Sequence, residues 1–408
     1  MLDAFFKIHD FLVEHAFMPI RRQLMDEIDW KDRLIAIKGG RGVGKTDFLL
    51  SCAKQIEQEK RNQPEKRRRR KGDPEEIRYC LYVSMNDFYF TENSLFDLAG
   101  ELVQQRGEYL FLDQIFKYPN WSKELKLCYR KYRDLHIVFC ATPVLPLEEE
   151  NHDLDGIVKT YNLRGFSFRE YLNMQTGMRF RPVSLEDILA HHASMSREIC
   201  ERVHPLDHFK AYLKHGFYPS YLESKSFEVE LLKTMNMMLE VDVLMVKQID
   251  VSCIAKLRKL LYILLREAPC ALNVSSISEE IGLSRATTMN YIKYLKDSRL
   301  INLLYLENKN FPMKPSKVYM QNTNLAQMLF TRELAPMDLY ETYFYEAIHD
   351  AHKVNATERS AMFVVDSRWY FDVRAEAPSR DAIRPTAIGE LEMGRGNLIP
   401  LWLLGFLY

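Results

Sequence analysis

"RLIAIKGGRGVGKTDFLL", residues 33–50, decides the architecture of this chain. The apolar run 34–37 reads as a buried strand, and the amphipathic run from 46 to 61 reads as a helix. Between them "GGRGVGKT" (39–46) satisfies G-x-x-x-x-G-K-[ST], with Gly39, Gly44, Lys45 and Thr46 in register. The spacing has a physical reason. Glycines let successive backbone N–H groups curl around a polyphosphate, and the helix N-terminus adds partial positive charge. Lys45 reaches the outer phosphates and the Thr46 hydroxyl can ligate Mg²⁺. Gly39, Gly40, Arg41, Gly42, Val43, Gly44, Lys45, Thr46 and Asp47 are therefore the candidate nucleotide-binding residues, with ATP and Mg²⁺ as the expected ligands.

Working outward, "RYCLYVSM" (78–85), "YLFLDQ" (109–114) and "HIVFCAT" (136–142) read as three more core strands, with helices at 94–106 and 121–133. Strands alternating with helices predict an α/β fold with a parallel sheet. Asp113 stands at the tip of its strand, where a carboxylate needs a cation or a hydrogen-bond network. Thr46 and Asp113 are the expected Mg²⁺ site. The start, "MLDAFFKIHDFLVEHAF", reads as an amphipathic helix and not as a signal peptide.

The bulk numbers exclude more than they identify. The 408 residues call for about two to four domains. With 56 basic and 56 acidic residues, net charge predicts no nucleic-acid or membrane partner. Seven scattered cysteines without a CxxC pair predict reduced thiols, and no apolar run is long enough to span a bilayer. A cytoplasmic protein is expected. "KRNQPEKRRRRKGDPEE" (60–76) reads as a charged surface loop. From about 175 to 245 the pattern is helical, with Met and Leu as core filler. Residues 250–325 form a helix-rich unit with one hairpin, and 330–408 return to mixed helix and strand.

The strand–loop–helix just described, with "YLFLDQIFKYPNWSKELK", "LHIVFCATPVLPL", "LRGFSFREYLN" (163–173), "FYPSYLES" (217–224) and "IPLWLLGFLY" (399–408), resembles a family of bacterial and archaeal AAA-superfamily ATPases. The resemblance implies a prokaryotic protein with an AAA-type P-loop domain at 1–174, a helical lid at 175–247, a winged helix at 248–328 and a small restriction-endonuclease-like domain at 329–408. It also implies oligomerisation as one option. Gly39, Gly44, Lys45, Thr46 and Asp113 carry over. Three hydrolysis positions depart from the pattern. Gln114 stands where the family has an acidic residue, and an amide is no useful base, although it can orient a water. "CATP" leaves Thr142 as the one polar sensor. "DLDGIVKTYN" lacks the usual arginines, with Lys159 or Arg164 as substitutes. The expectation is an ATP-binding switch with slow hydrolysis through Gln114 and Thr142. The alternatives are an active ATPase, or a DNA-binding regulator whose nucleotide site is structural.

For the second alternative, "SSISEEIGLSRATTMNYIKYLKDSRLINLLYLENKNFPMKPSKVYMQN" (275–322) reads as a helix-turn-helix with a wing. It would offer DNA Arg285, Thr287, Thr288, Asn290 and Lys293, flanked by Lys309, Lys314 and Lys317. The favoured reading of the same element is an interdomain lid or a protein-docking module. The resemblance also implies a metal-nuclease-like pattern in "MFVVDSRWYFDVRAE" (362–376), whose first acidic position falls on Met362, its second on Asp372 and its lysine near Glu376, leaving Asp366 and Asp372 as possible cation ligands. That predicts a degenerate nuclease-like domain. Glu390 and Glu392 are expected to cap a surface turn, and the tail to be a buried closing strand.

Overall fold

A computed structural model describes residues 2–16, 18–62, 77–147, 151–222, 226–244, 249–328, 334–378 and 382–408. The chain divides into two compact units, Met1–Arg164 and Gly165–Tyr408. Most of the charged loop expected at 60–76 lies outside the described residues. Among the described residues no disulfide forms, and no helix is long and apolar enough to cross a membrane.

The first unit runs α1 (Leu2–His15), α2 (Leu24–Glu27), β1 (Leu34–Lys38), α3 (Lys45–Asn62), β2 (Cys80–Ser84), α4 (Leu95–Gln104), β3 (Tyr109–Asp113), α5 (Trp121–Lys131), β4 (His136–Ala141) and β5 (Lys159–Asn162). The five strands form one parallel sheet in the order β2-β3-β4-β1-β5. Parallel strands covered on both faces read as continuous apolar runs, which is why β1 to β4 were legible. β5 was not anticipated. It is an edge strand, "KTYN", with no buried residue and hence no apolar signal.

The "KYPNW" segment has a structural task. Tyr118 Oη accepts from the Leu95 N–H at 3.3 Å and donates to Glu124 at 2.7 Å, and Glu124 accepts from the Phe96 N–H at 3.1 Å. Together with Ser94, which accepts from the Asp97 N–H at 3.0 Å, these groups satisfy the donors that open α4.

At the other edge, α1 covers β2. The outward N–H of Tyr82 donates to His9 Nδ1 at 3.0 Å, and the N–H groups of Tyr79 and Cys80 donate to Glu57 at 2.9 Å. Burial lowers the His9 pKa from 6.5 to about 4. Between those values the unfolded chain binds a proton that the folded chain refuses. Folding stability should therefore fall as pH drops from 6.5 towards 4, by at most about 3 kcal/mol, and this contribution should be flat above 6.5. His9→Asn keeps an acceptor for Tyr82 but cannot titrate. Urea denaturation of both proteins from pH 7 to 4 should give curves that diverge only on the acid side.

The second unit runs α6 (Phe168–Thr176), α7 (Leu185–Cys200), α8 (Pro205–Ala211), α9 (Phe227–Met237), α10 (Ile254–Glu267), α11 (Val274–Ile281), α12 (Arg285–Asp297), β6 (Ile301–Leu304), β7 (Lys317–Met320), α13 (Thr323–Ala326), α14 (Pro336–Ile348), β8 (Val354–Asn355), β9 (Phe363–Val365), β10 (Trp369–Arg374), β11 (Thr386–Ile388) and β12 (Leu398–Pro400). β6 and β7 pair antiparallel, and β12-β11-β10-β9-β8 form a mixed sheet. α14 lies on that sheet through Phe344, whose ring sits 4.7 Å from Phe363 and 5.3 Å from Phe371.

α6 opens on a capping box in "FSFREYL", Ser167 with Glu170, which accounts locally for that motif. The Ser167 hydroxyl and Arg169 Nε also donate to the Tyr408 carbonyl, both at 2.8 Å. Beyond α8 the helix widens at Tyr212–Gly216. The buried Asn324 amide repairs the displaced bonds, donating to the Tyr212 and Leu213 carbonyls and accepting from the Phe217 N–H. The tail differs from the expected closing strand. Only Leu398–Pro400 pairs, and Leu401–Phe406 coil into a tight helix that buries Trp402 completely. Its unbroken apolar run signalled burial without distinguishing strand from helix.

Candidate nucleotide site

The loop between β1 and α3 is wound as its sequence requires. Gly42 and Gly44 take φ of 83° and 86°, a region that side-chain-bearing residues rarely adopt. Gly39 is needed for space, because a Cβ there would lie 2.5 Å from the Leu163 carbonyl oxygen. Lys45 folds back over the loop and donates to the carbonyls of Gly39 and Gly40, each at 2.7 Å. Gly40 is buried, Arg41 lies in the turn, Val43 is buried, and Asp47 stands in the first turn of α3.

Asp113, 4% exposed, ends β3 facing this loop. Its Oδ2 accepts from the Thr46 hydroxyl at 2.6 Å and from the Tyr82 hydroxyl at 3.0 Å, and its Oδ1 accepts from the Gln114 N–H at 2.8 Å. Burial, with the Asp113 carboxylate next, pushes the Tyr82 phenol well above its usual range, so Tyr82 remains a donor. Thr46 and Asp113 thus bring together two oxygen ligands of the kind Mg²⁺ prefers. Gln114 is half-buried with a left-handed backbone (φ 54°), so the chain turns sharply just past the carboxylate.

Thr142 follows β4, which lies between β3 and β1. The Gly39 N–H donates to the Ala141 carbonyl at 3.3 Å, so Thr142 leaves the sheet beside the start of the loop. Its hydroxyl is buried and, among the described residues, has no hydrogen-bond partner. An orphaned polar atom in that position is costly unless something outside the chain satisfies it. The glycine cradle, the paired oxygens and this orphaned hydroxyl all fit a bound nucleotide with its cation.

Residues 31–172 match the family described as an AAA domain. The first unit is built on an AAA domain of the P-loop ATPase superfamily. A second match, to a domain of unknown function, covers residues 206–334. An uncharacterized protein of Methanocaldococcus jannaschii is 24% identical over 287 residues, 67% of this chain and 57% of that protein, so the chain spans little more than half of its relative. Among solved structures, PCH-2 from C. elegans is similar at 14% identity, covering 72% of this chain and 66% of that one with a TM-score of 0.24. AMPPCP-bound DnaA from Aquifex aeolicus is similar at 14% identity, covering 71% of this chain and 86% of that one with a TM-score of 0.23. The AAA assignment rests on the family match and on the loop, not on these distant likenesses.

Two residues that serve the AAA domain's loop were missed. Tyr82 orients Asp113, but in the sequence it is one more aromatic in a core strand. Arg22 is 1% exposed and donates to the Val43 carbonyl at 3.2 Å. In "PIRRQ" it looks like surface charge. Lys159 is exposed on β5, and the Arg164 carbonyl accepts from Arg22 at 2.7 Å.

Of the residues offered to DNA, one is buried and three have partners within the chain. Thr288 is fully buried and donates to the Ser284 carbonyl while accepting from Ser278, so it belongs to the core of the α11–α12 turn. Thr287 pairs with Ser284 at the helix cap. Lys293 is ion-paired with Asp297 at 3.0 Å, and Lys317 with the buried Glu341. Arg285, Asn290, Lys309 and Lys314 are exposed.

In the C-terminal sheet, Asp366 sits in the β9–β10 turn, bonded to His352 at 2.7 Å and to the Lys353 N–H at 2.9 Å. Asp372 lies well along β10 and pairs with Arg384 at 3.6 Å. Among the described residues no group of three or more His, Cys, Asp or Glu side chains is arranged to hold a metal. Glu390 accepts from the Tyr340 hydroxyl, and Glu392 lies 3.3 Å from His204.

Proposed function

We propose that the AAA domain binds Mg·ATP and acts as a slow nucleotide switch. The observation that carries this reading is the asymmetry of the site. Lys45 lies across the loop and the Thr46 hydroxyl is 2.6 Å from Asp113, while an amide, Gln114, follows that carboxylate. When bound, Mg²⁺ supplies Lewis-acid polarisation of the terminal phosphates. The chain's own residues do the rest. Lys45 balances phosphate charge, Thr46 and Asp113 hold the cation, and Thr142 donates its hydroxyl towards the phosphates or a water. Gln114 orients a water without taking its proton, so hydrolysis resets the switch slowly.

The reading extends to the rest of the chain. Residues 175–247 act as a lid, 248–328 as a winged helix, and 329–408 as a degenerate nuclease-like domain, in a cytoplasmic prokaryotic protein. Docking to a protein is favoured over DNA for the winged helix, because Lys293 and Lys317 are neutralised by acidic neighbours. Asp366 and Asp372 are each committed to other partners, which supports a scaffold role for the sheet.

Single-turnover hydrolysis of labelled ATP tests the switch, with Gln114→Glu beside the parent. The expected result is ATP binding with near-background turnover in the parent, and hydrolysis roughly ten- to a hundredfold faster in Gln114→Glu. Parent turnover at about 1 s⁻¹ or faster would make this an ordinary ATPase instead.

A further inference from the structure

The phosphate loop is braced from behind by a residue outside any motif. Arg22 precedes α2 and is 1% exposed. A buried guanidinium is costly unless its donors are used. Here one terminal nitrogen donates to the Val43 carbonyl at 3.2 Å and the other to the Arg164 carbonyl at 2.7 Å.

The first bond matters through peptide geometry. In a trans peptide the C=O of one residue and the N–H of the next point in opposite directions. Holding the Val43 carbonyl towards Arg22 therefore turns the Gly44 N–H the other way, away from the guanidinium. Gly44 itself is at φ 86°, a conformation open to a glycine but not fixed by it. Glycine supplies the freedom, and something else must select the orientation. The second bond anchors the brace, because Arg164 follows Leu163, whose carbonyl packs against Gly39 at the other end of the loop.

We infer that Arg22 is a positioning residue for phosphate binding: it sets the Val43–Gly44 peptide so that the Gly44 N–H serves the phosphate cradle. The inference rests on the nucleotide reading above. Its specific content is that affinity for phosphates depends on a side chain that touches none of them.

The test uses the full chain and a fluorescent ADP analogue with Mg²⁺, titrated against the parent, Arg22→Met and Arg22→Lys, with pyrophosphate as competitor. Melting without nucleotide reports the fold. Arg22→Met, similar in length but without donors, should bind ADP and pyrophosphate about 10- to 100-fold more weakly while still melting cooperatively. Arg22→Lys, which keeps the charge and can serve one carbonyl, should fall between it and the parent. A role in stability alone would lower the melting temperature and leave both affinities unchanged in the folded protein, which overturns the inference. If both variants fail to fold, the arginine is a folding requirement and the inference is overturned as well. A parent that binds neither probe overturns the nucleotide reading itself.

Discussion

In a thermal melt with Mg·ATP, the Lys45→Ala protein is expected to unfold at nearly the temperature it shows without nucleotide. The parent, at a hundred times its dissociation constant, should gain about 2.7 kcal/mol of stability from the ligand. Lys45 spans the loop to the carbonyls of Gly39 and Gly40, and in the proposed nucleotide reading its ammonium serves the outer phosphates. Removing it costs the ligand a charge-assisted contact and leaves those two carbonyls facing the ligand without a donor. A hundredfold loss of affinity leaves only about 0.4 kcal/mol of stabilisation at the same ATP concentration. Lys45 is half-buried at the loop surface, so the nucleotide-free melt should move little. Ligand-dependent melting curves of the two proteins, recorded side by side, check both halves. A variant that is stabilised as strongly as the parent would mean that ATP is not held by this loop.

The largest stability effect should come from Trp402→Ala in the second unit. Trp402 is fully buried, its ring is 5.6 Å from Phe406 and 6.4 Å from Phe168, and its indole N–H donates to the Glu392 carbonyl at 3.2 Å. Alanine leaves a large cavity in a packed core and removes the indole donor from the Glu392 carbonyl, which keeps only the Cys200 thiol at 3.6 Å. The expected loss is about 3–5 kcal/mol, a large share of the roughly 5–15 kcal/mol that a typical protein has. Trp402→Phe should recover most of the packing but not the hydrogen bond. Urea denaturation followed by far-ultraviolet dichroism reads the order parent, Phe, Ala. An alanine variant as stable as the parent would show that the tail is packed loosely.

How much of this was legible follows from what each residue reports. The four core strands and the phosphate loop could be read because their physics is local. A buried parallel strand needs an apolar run, and a phosphate cradle needs glycines and a lysine at fixed spacing. β5 was invisible because an edge strand needs neither. The Leu401–Phe406 helix was misjudged because burial all round erases periodicity. Thr288 was placed on a reading surface because a threonine in a helix looks alike from either face. Only the Ser278 partner, ten residues away, reveals which face is buried. Arg22 and Tyr82 were missed for a related reason. Their roles depend on Val43 and Asp113, 21 and 31 positions distant, and no local pattern encodes that meeting.

The covering of β2 by α1 has a meaning beyond folding stability. An open strand edge is a template on which any other extended chain can add itself, and proteins that leave one bare tend to stick together. Here the guard is a single imidazole and a single carboxylate, His9 and Glu57, which occupy the donors that an intruding strand would seek. His9 caps an edge: while neutral, its Nδ1 accepts the Tyr82 N–H that another extended chain would pair with.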